Sequence, residues 1–337
     1  MLQSLTTARL IANYLNGRRE PRENVRETVL ELYQGHYPLI QYENVERVRG
    51  TCVLIHGVTP RASEDPNLVH LARCVASIGY RCLTPPLIGL SNFAHDVRDI
   101  EIVATTFKRA YVIASAPISV MAFSYGASYA LSAAAVEDAR SCCSSILAFG
   151  AYHSLKEALE HQRQLLIRHP DPHQDDSDVL YLRYTLLACQ REELGLSLAA
   201  FRDIDETLST FMFPGPLDDK KRALLTHASH FDYVKLMELY QRRDLPAILS
   251  PAGQLHRVAC PVALLHDPND SFVPAAHLNL LRAELDQRQG RAVTKTLETP
   301  MLSHVQVNPL VSLRDTWKFI RLLAPTFKGA RPNVYRP

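Results

Sequence analysis

Apolar residues open the chain at helical spacing. Leu5, Ala8, Ile11 and Leu15 fall on one face, and Val25, Val29 and Tyr33 repeat the interval, which predicts two short amphipathic helices within residues 1–35 packing on a core. Beyond Tyr37 the pattern changes. Residues 51–56, 80–83, 118–123 and 146–149 are continuous apolar runs, and helical patterns separate them over 66–78, 95–113 and 125–137. Strands that are apolar throughout, alternating with helices, predict an α/β protein with a mostly parallel central sheet covered on both faces.

The alternation stops near Tyr152. Ser154 and Glu157 form a capping-box pattern that opens a helix through Arg168. A broadly apolar helix is predicted over 179–189, another after Gly195, and helical patterns over 217–243 follow the breaker Pro214-Gly215-Pro216. No strand pattern intervenes up to about residue 255, and so long a stretch exceeds a loop of a compact domain. It reads as an all-helical insertion over 153–255. Core segments are expected on either side of it, at 36–152 and 256–327, with a tail at 328–337. Strands at 262–266 and 293–298, a helix at 275–289 between them and a closing helix at 314–323 complete the second segment.

Composition narrows the classes. With 47% hydrophobic and 21% charged residues over 337 positions, the chain is globular rather than disordered. A formal charge of +2 argues against a dedicated nucleic-acid binder. No apolar run reaches the roughly 20 residues of a spanning helix, and the first 17 residues lack a signal-peptide pattern. A cytoplasmic protein without a membrane span is expected. Seven cysteines without a C-x-x-C spacing predict neither a disulfide framework nor a structural zinc site.

Ser124, in Ala122-Phe123-Ser124-Tyr125-Gly126, sits where a predicted strand meets a helix. A nucleophilic serine can occupy such a sharp turn if the residues two before and two after are small, as Ala122 and Gly126 are. Two further frames, 126–130 and 130–134, carry the same spacing inside the helix, so the local pattern alone leaves a structural serine equally open. Order along the chain adds weight. A serine hydroxyl needs a histidine to take its proton and a carboxylate to orient that histidine. The strand at 262–266 is followed by Asp267-Pro268-Asn269-Asp270, and the strand at 293–298 by a segment ending in Ser303-His304.

At these positions the chain resembles the α/β-hydrolase superfamily, over roughly 37–152 and 256–323, with an insertion where members carry a cap. The matching segments are Val53-Leu54-Ile55-His56-Gly57, Phe123-Ser124-Tyr125-Gly126, Asp270-Ser271-Phe272-Val273-Pro274 and Ser303-His304. The resemblance implies Ser124 as nucleophile, His304 as general base and Asp270 as the orienting acid. Asp270 is preferred because it precedes an apolar-Pro pair, whereas Asp267 stands where the family often has glycine. An oxyanion hole is expected from the backbone N–H groups of Tyr125 and Val58. His56 and Gly57 shape that loop. Residues 84–89 lack an aspartate that many relatives carry there. A serine at 124 disfavours the dehalogenases, which use aspartate, and the dienelactone hydrolases, which use cysteine; the only tryptophan, Trp317, lies in the final helix.

His161, His169 and His173, near Asp171, Asp175 and Asp176, fit no compact metal-ligand set and read as solvated surface of the insertion. Adjacent Cys142 and Cys143 read as idle thiols, and Arg18-Arg19 and Lys220-Lys221-Arg222 as exposed charges. The expected function is a serine esterase acting on a small, partly apolar ester, with no metal or organic cofactor and no nucleic-acid partner. An acyltransferase, a peptidase or amidase on the same triad, and a non-catalytic binding protein of this fold remain the alternatives.

Overall fold

The computed structural model describes residues 2–15, 23–32, 37–170, 177–189, 232–242, 245–288, 292–300, 302–303, 306–307 and 313–324. Eight strands form one sheet: β1 (Val25–Leu32), β2 (Tyr37–Asn44), β3 (Thr51–Ile55), β4 (Arg81–Thr84), β5 (Ile118–Phe123), β6 (Cys143–Phe149), β7 (Val262–His266) and β8 (Thr294–Glu298). Their spatial order is β1-β2-β4-β3-β5-β6-β7-β8. Pairing is antiparallel for β1–β2 and β2–β4 and parallel from β4 onward. A separate two-stranded ribbon joins β9 (Leu302–Ser303) to β10 (Gln306–Val307).

The helices are α1 (Leu2–Leu15), α2 (Pro66–Ser77), α3 (Ile88–Ser91), α4 (Val97–Ala114), α5 (Tyr125–Ala135), α6 (Leu155–Arg168), α7 (Ser177–Cys189), α8 (Tyr233–Gln241), α9 (Ala276–Leu285) and α10 (Leu313–Leu323). Alternate strand residues serve two apolar layers. Val53, Ile55, Val120, Ala122, Ile146 and Leu264 face a core shared with α4, α5 and α9. Cys52, Leu54, Met121, Leu147 and Leu265 face a second one shared with α1, α2 and α10. The period-2 alternation of a strand thus buries both faces, as the continuous apolar runs predict.

Residues 25–32 correct the sequence reading, since they form an edge strand and not a helix. Valine at four-residue intervals mimics a helical stripe, but β1 is mostly exposed and pairs throughout with β2, so no buried stripe is required of it. Its charges are used across the sheet edge, Arg26 with Glu43 and Glu27 with Arg73 of α2.

The helix expected from Ser154 through Arg168 forms as α6. Ser154 Oγ accepts the Glu157 N–H at 3.4 Å and caps α6. Val179, Leu182, Leu186, Tyr233 and Met237 of α7 and α8 join the same apolar core as α4 and α5. The helix expected after Gly195, the breaker at 214–216, residues 217–231 of the helical pattern expected over 217–243 and the tail at 328–337 lie outside the described residues. Six cysteines, Cys52, Cys74, Cys82, Cys142, Cys143 and Cys260, are buried free thiols. Burial pushes Cys52 and Cys260 up to about 12 and raises Cys82, Cys142 and Cys143.

Candidate active site

Ser124 stands between β5 and α5 with φ 52° and ψ −132°, a backbone conformation that L side chains rarely adopt. Such a residue is strained by about 1–3 kcal/mol and persists only where its surroundings hold it. Here its N–H donates to Phe149 O at 2.7 Å, and its carbonyl accepts the Ala127 N–H at 2.9 Å. The side chain is 4% exposed. Ser128, one turn on, serves packing instead. Its hydroxyl meets both the carbonyl and the N–H of Tyr152, at 3.0 and 2.9 Å, and pins α5 to the exit of β6. Ser132 is fully buried in the same helix.

Two glycines let the main chain close around Ser124. A Cβ on Gly126 would lie 1.9 Å from the carbonyl oxygen of His56, so α5 packs directly on the end of β3. The small residue is therefore demanded by the neighbouring strand's exit loop. A Cβ on Gly57 would meet Ser124 Cβ at 2.9 Å. Ala122 is fully buried in β5, between Ile55 and Ala148 in register.

His56 shapes the loop in a definite way. Its Nε2 accepts the Leu87 N–H at 3.0 Å, which places the ring proton on Nδ1, and Nδ1 donates to Gly57 O at 2.7 Å. In a trans peptide the N–H of the next residue points opposite to that carbonyl. Holding Gly57 C=O thus fixes the direction of the Val58 N–H. The acceptor role of Nε2 needs a neutral imidazole, and burial pushes the His56 pKa down to about 4. Tyr125 opens α5, so its N–H lies in the first turn, outside the helix's own hydrogen-bond ladder and at the positive end of its dipole.

The loop after β4, where no aspartate follows the strand, is tied by Asp99 of α4 instead. Its carboxylate accepts the N–H groups of Gly89 and Leu90 at 3.0 and 2.8 Å. Burial raises the Asp99 pKa to about 6, against the opposing pull of those two donors.

Beyond β7 the two candidate acids part company. Asp267 Oδ1 accepts the Asn269 N–H at 2.9 Å and closes a local turn. Asp270 Oδ1 accepts both the Phe272 and the Val273 N–H at 2.9 Å, and its Oδ2 lies 3.7 Å from His266 Nε2, which also meets Val273 O at 2.7 Å. Three residues absent from the sequence reading of the site pack against this loop, and one of them, Gln162, also reaches the elbow. Gln162 Nε2 donates to Tyr125 Oη at 2.6 Å and to Phe272 O at 3.3 Å. His161 Nε2 meets Ser271 O at 3.0 Å. Tyr181 of α7 donates from its hydroxyl to Val58 O at 3.1 Å, while its ring stands edge-on to Phe272 at 5.4 Å.

His161 therefore faces inward, half-buried, rather than forming solvated surface, and burial pushes its pKa down. One sequence signal marks its neighbour: Gln162 interrupts the buried stripe Leu155, Ala158, Leu159, Leu165, Leu166 of α6 at a position that the helical period assigns to the core. The structure brings Ser124, Tyr125, His56, Gly57, Val58, Ala122 and Gly126 together and links them to the Asp270 loop. His304 lies outside the described residues, as do His173, Asp171, Asp175 and Asp176. Among the described residues no three metal-ligating side chains converge, and no helix is long and apolar enough to cross a membrane.

The sequence matches no protein-family model and no curated protein. Solved structures resemble it in shape. An acylaminoacyl peptidase from Pyrococcus horikoshii superposes over 93% of this chain with a TM-score of 0.51 at 10% identity. This chain spans 42% of that peptidase's length. A dienelactone hydrolase candidate from Klebsiella pneumoniae matches with a TM-score of 0.51 and 11% identity, over 90% of this chain and 99% of its own. An esterase candidate from Staphylococcus aureus gives 0.50 and 12%, over 97% and 92% respectively. These likenesses establish the α/β-hydrolase fold for this chain.

Proposed function

We propose that this protein is a serine hydrolase that cleaves a carboxylic ester through an acyl-Ser124 intermediate. The observation that carries the reading is the backbone of Ser124, held at φ 52° where β5 meets α5. Strain of this kind is kept where it serves a function, and here it sets a hydroxyl at the N-terminus of a buried helix.

Attack by Ser124 Oγ on the substrate carbonyl forms a C–O bond and leaves the former carbonyl oxygen negative. The Tyr125 and Val58 N–H groups hold that oxygen, a contribution of several kcal/mol in sites of this kind. His304 takes the serine proton and passes it to the departing alcohol as the ester bond breaks. It then takes a proton from the attacking water and returns it to Ser124 Oγ as the acyl–oxygen bond breaks and the acid leaves. Asp270 stays ionised and fixes the imidazole tautomer. The chemistry asks for no metal or organic cofactor. The apolar helix near 179–189, whose Tyr181 bonds Val58 O, covers the mouth of the pocket and favours esters with an apolar acyl or alcohol part.

A fluorophosphonate probe tests the reading. Wild type is expected to be labelled at Ser124, and Ser124→Ala to show no labelling and no turnover of p-nitrophenyl esters. A folded wild type that resists the probe would overturn it and favour a binding protein of the same fold. Parallel turnover of aminoacyl amides separates an esterase from a peptidase, and product analysis with added alcohols separates it from an acyltransferase.

A further inference from the structure

Asp270 Oδ1 is held by two consecutive peptide N–H groups, those of Phe272 and Val273. Each of these N–H groups shares a rigid peptide plane with the carbonyl of the residue before it. Those two carbonyls, Ser271 and Phe272, are in turn gripped by adjacent side chains of α6: His161 Nε2 on Ser271 O at 3.0 Å and Gln162 Nε2 on Phe272 O at 3.3 Å. Both planes are thus clamped at both ends, with α6 on the carbonyl side and the carboxylate on the N–H side. Hydrogen bonds in such a chain polarise one another and strengthen the donors that the carboxylate receives.

Gln162 does more than hold the plane. The same amide nitrogen donates to Tyr125 Oη at 2.6 Å, and Tyr125 is the residue next to Ser124. Gln162 is 4% exposed, and 110 residues separate it from Phe272 along the chain. A buried amide on an otherwise apolar helical stripe is unfavourable unless its donors are satisfied, and here both partners are parts of the site.

We propose that His161 and Gln162 are positioning residues: they aim the Asp270 carboxylate by clamping the two peptide planes that bind its Oδ1, and Gln162 also registers the acid loop against the nucleophile elbow. The first helix of the insertion is in this way part of the catalytic framework. The inference rests on the serine-hydrolase reading, with Asp270 as its acid.

The test is a set of double-mutant cycles on a p-nitrophenyl ester, run beside fluorophosphonate labelling of wild type. His161→Met and Gln162→Met keep side-chain bulk and remove the donors. Each is expected to lower kcat about tenfold with KM unchanged within about twofold. In an Asp270→Asn background His161→Met should change kcat by less than about twofold, because it acts only through Asp270, whereas Gln162→Met should retain a reduced effect through Tyr125. His161→Gln, which restores an N–H donor, should recover most of the lost rate. Equal losses with and without Asp270, or no rescue by glutamine, would overturn the positioning role while labelling at Ser124 leaves the hydrolase reading standing. Absence of labelling in folded wild type would remove both.

Discussion

The two sides of the site are held by different means. Around Ser124 the support is steric and main-chain: Gly126 lies against the His56 carbonyl, Gly57 against Ser124 itself, and buried His56 and Asp99 tie the adjoining loops through backbone N–H groups. Around Asp270 the support is a chain of hydrogen bonds: the Phe272 and Val273 N–H groups hold its Oδ1, His161 and Gln162 of α6 hold the carbonyls behind them, and the ring of Tyr181 of α7 stands against Phe272. On the Ser124 side a Cβ at Gly126 or Gly57 would meet a neighbouring atom at 1.9 or 2.9 Å. Around Asp270 side-chain hydrogen bonds reach in from α6, 110 residues away in the chain. The Ser124 side is therefore expected to be the more rigid of the two.

Three substitutions test that contrast. The largest effect is expected of Gly126→Ala. Its methyl group would overlap a main-chain carbonyl that has no rotamer to escape into. We expect a loss of about 3 kcal/mol or more in denaturant unfolding and a fall of about a hundredfold or more in labelling at Ser124. Normal melting together with normal labelling would show the nucleophile side to be as adaptable as the other.

Asp99→Asn comes next and reads out through pH. Burial raises the folded-state pKa of Asp99 to about 6, above the ordinary value of 3.8, so the protonated carboxyl is the form that folding favours. Its stabilising contribution is complete below about pH 4 and is lost as pH rises through 6. Asparagine carries no such dependence. Wild type should therefore lose on the order of 2–3 kcal/mol relative to Asp99→Asn between pH 4 and pH 6. Urea unfolding of both proteins across that window would settle the sign, and a trend in the opposite direction would refute it.

Tyr181→Phe is expected to do least. It removes one hydrogen bond, to Val58 O, and keeps the ring against Phe272. A loss of about 1 kcal/mol in stability and less than about tenfold in kcat would place it with the adjustable contacts. A collapse comparable to that of Gly126→Ala would erase the distinction between the two sides.

The contrast also explains what was legible in the sequence. The strands at 118–123 and 262–266 were readable to the residue because strands covered on both faces are apolar throughout. At the turn, a small residue at 126 and a strand-to-helix change at 124 are local signals, but the frames at 126–130 and 130–134 carry the same spacing, so the pattern alone left a structural serine equally open. β1 was not, since a mostly exposed edge strand carries no burial period to separate valines at four-residue steps from a helical stripe. The contacts of His161 and Gln162 with the Asp270 loop were hidden for another reason. Their partners stand 110 residues away, and no local pattern announces a side chain that seeks a distant carbonyl. Only the glutamine within an apolar stripe gave a hint.

One consequence of the packing is practical. Six thiols are sequestered in the interior, and in five of them burial holds the sulfur protonated far above neutral pH. Thiolate is the form that reacts with electrophiles. Iodoacetamide at pH 7 should therefore leave these six sulfurs unmodified in the native protein, and a screen with electrophilic compounds would carry little background from them.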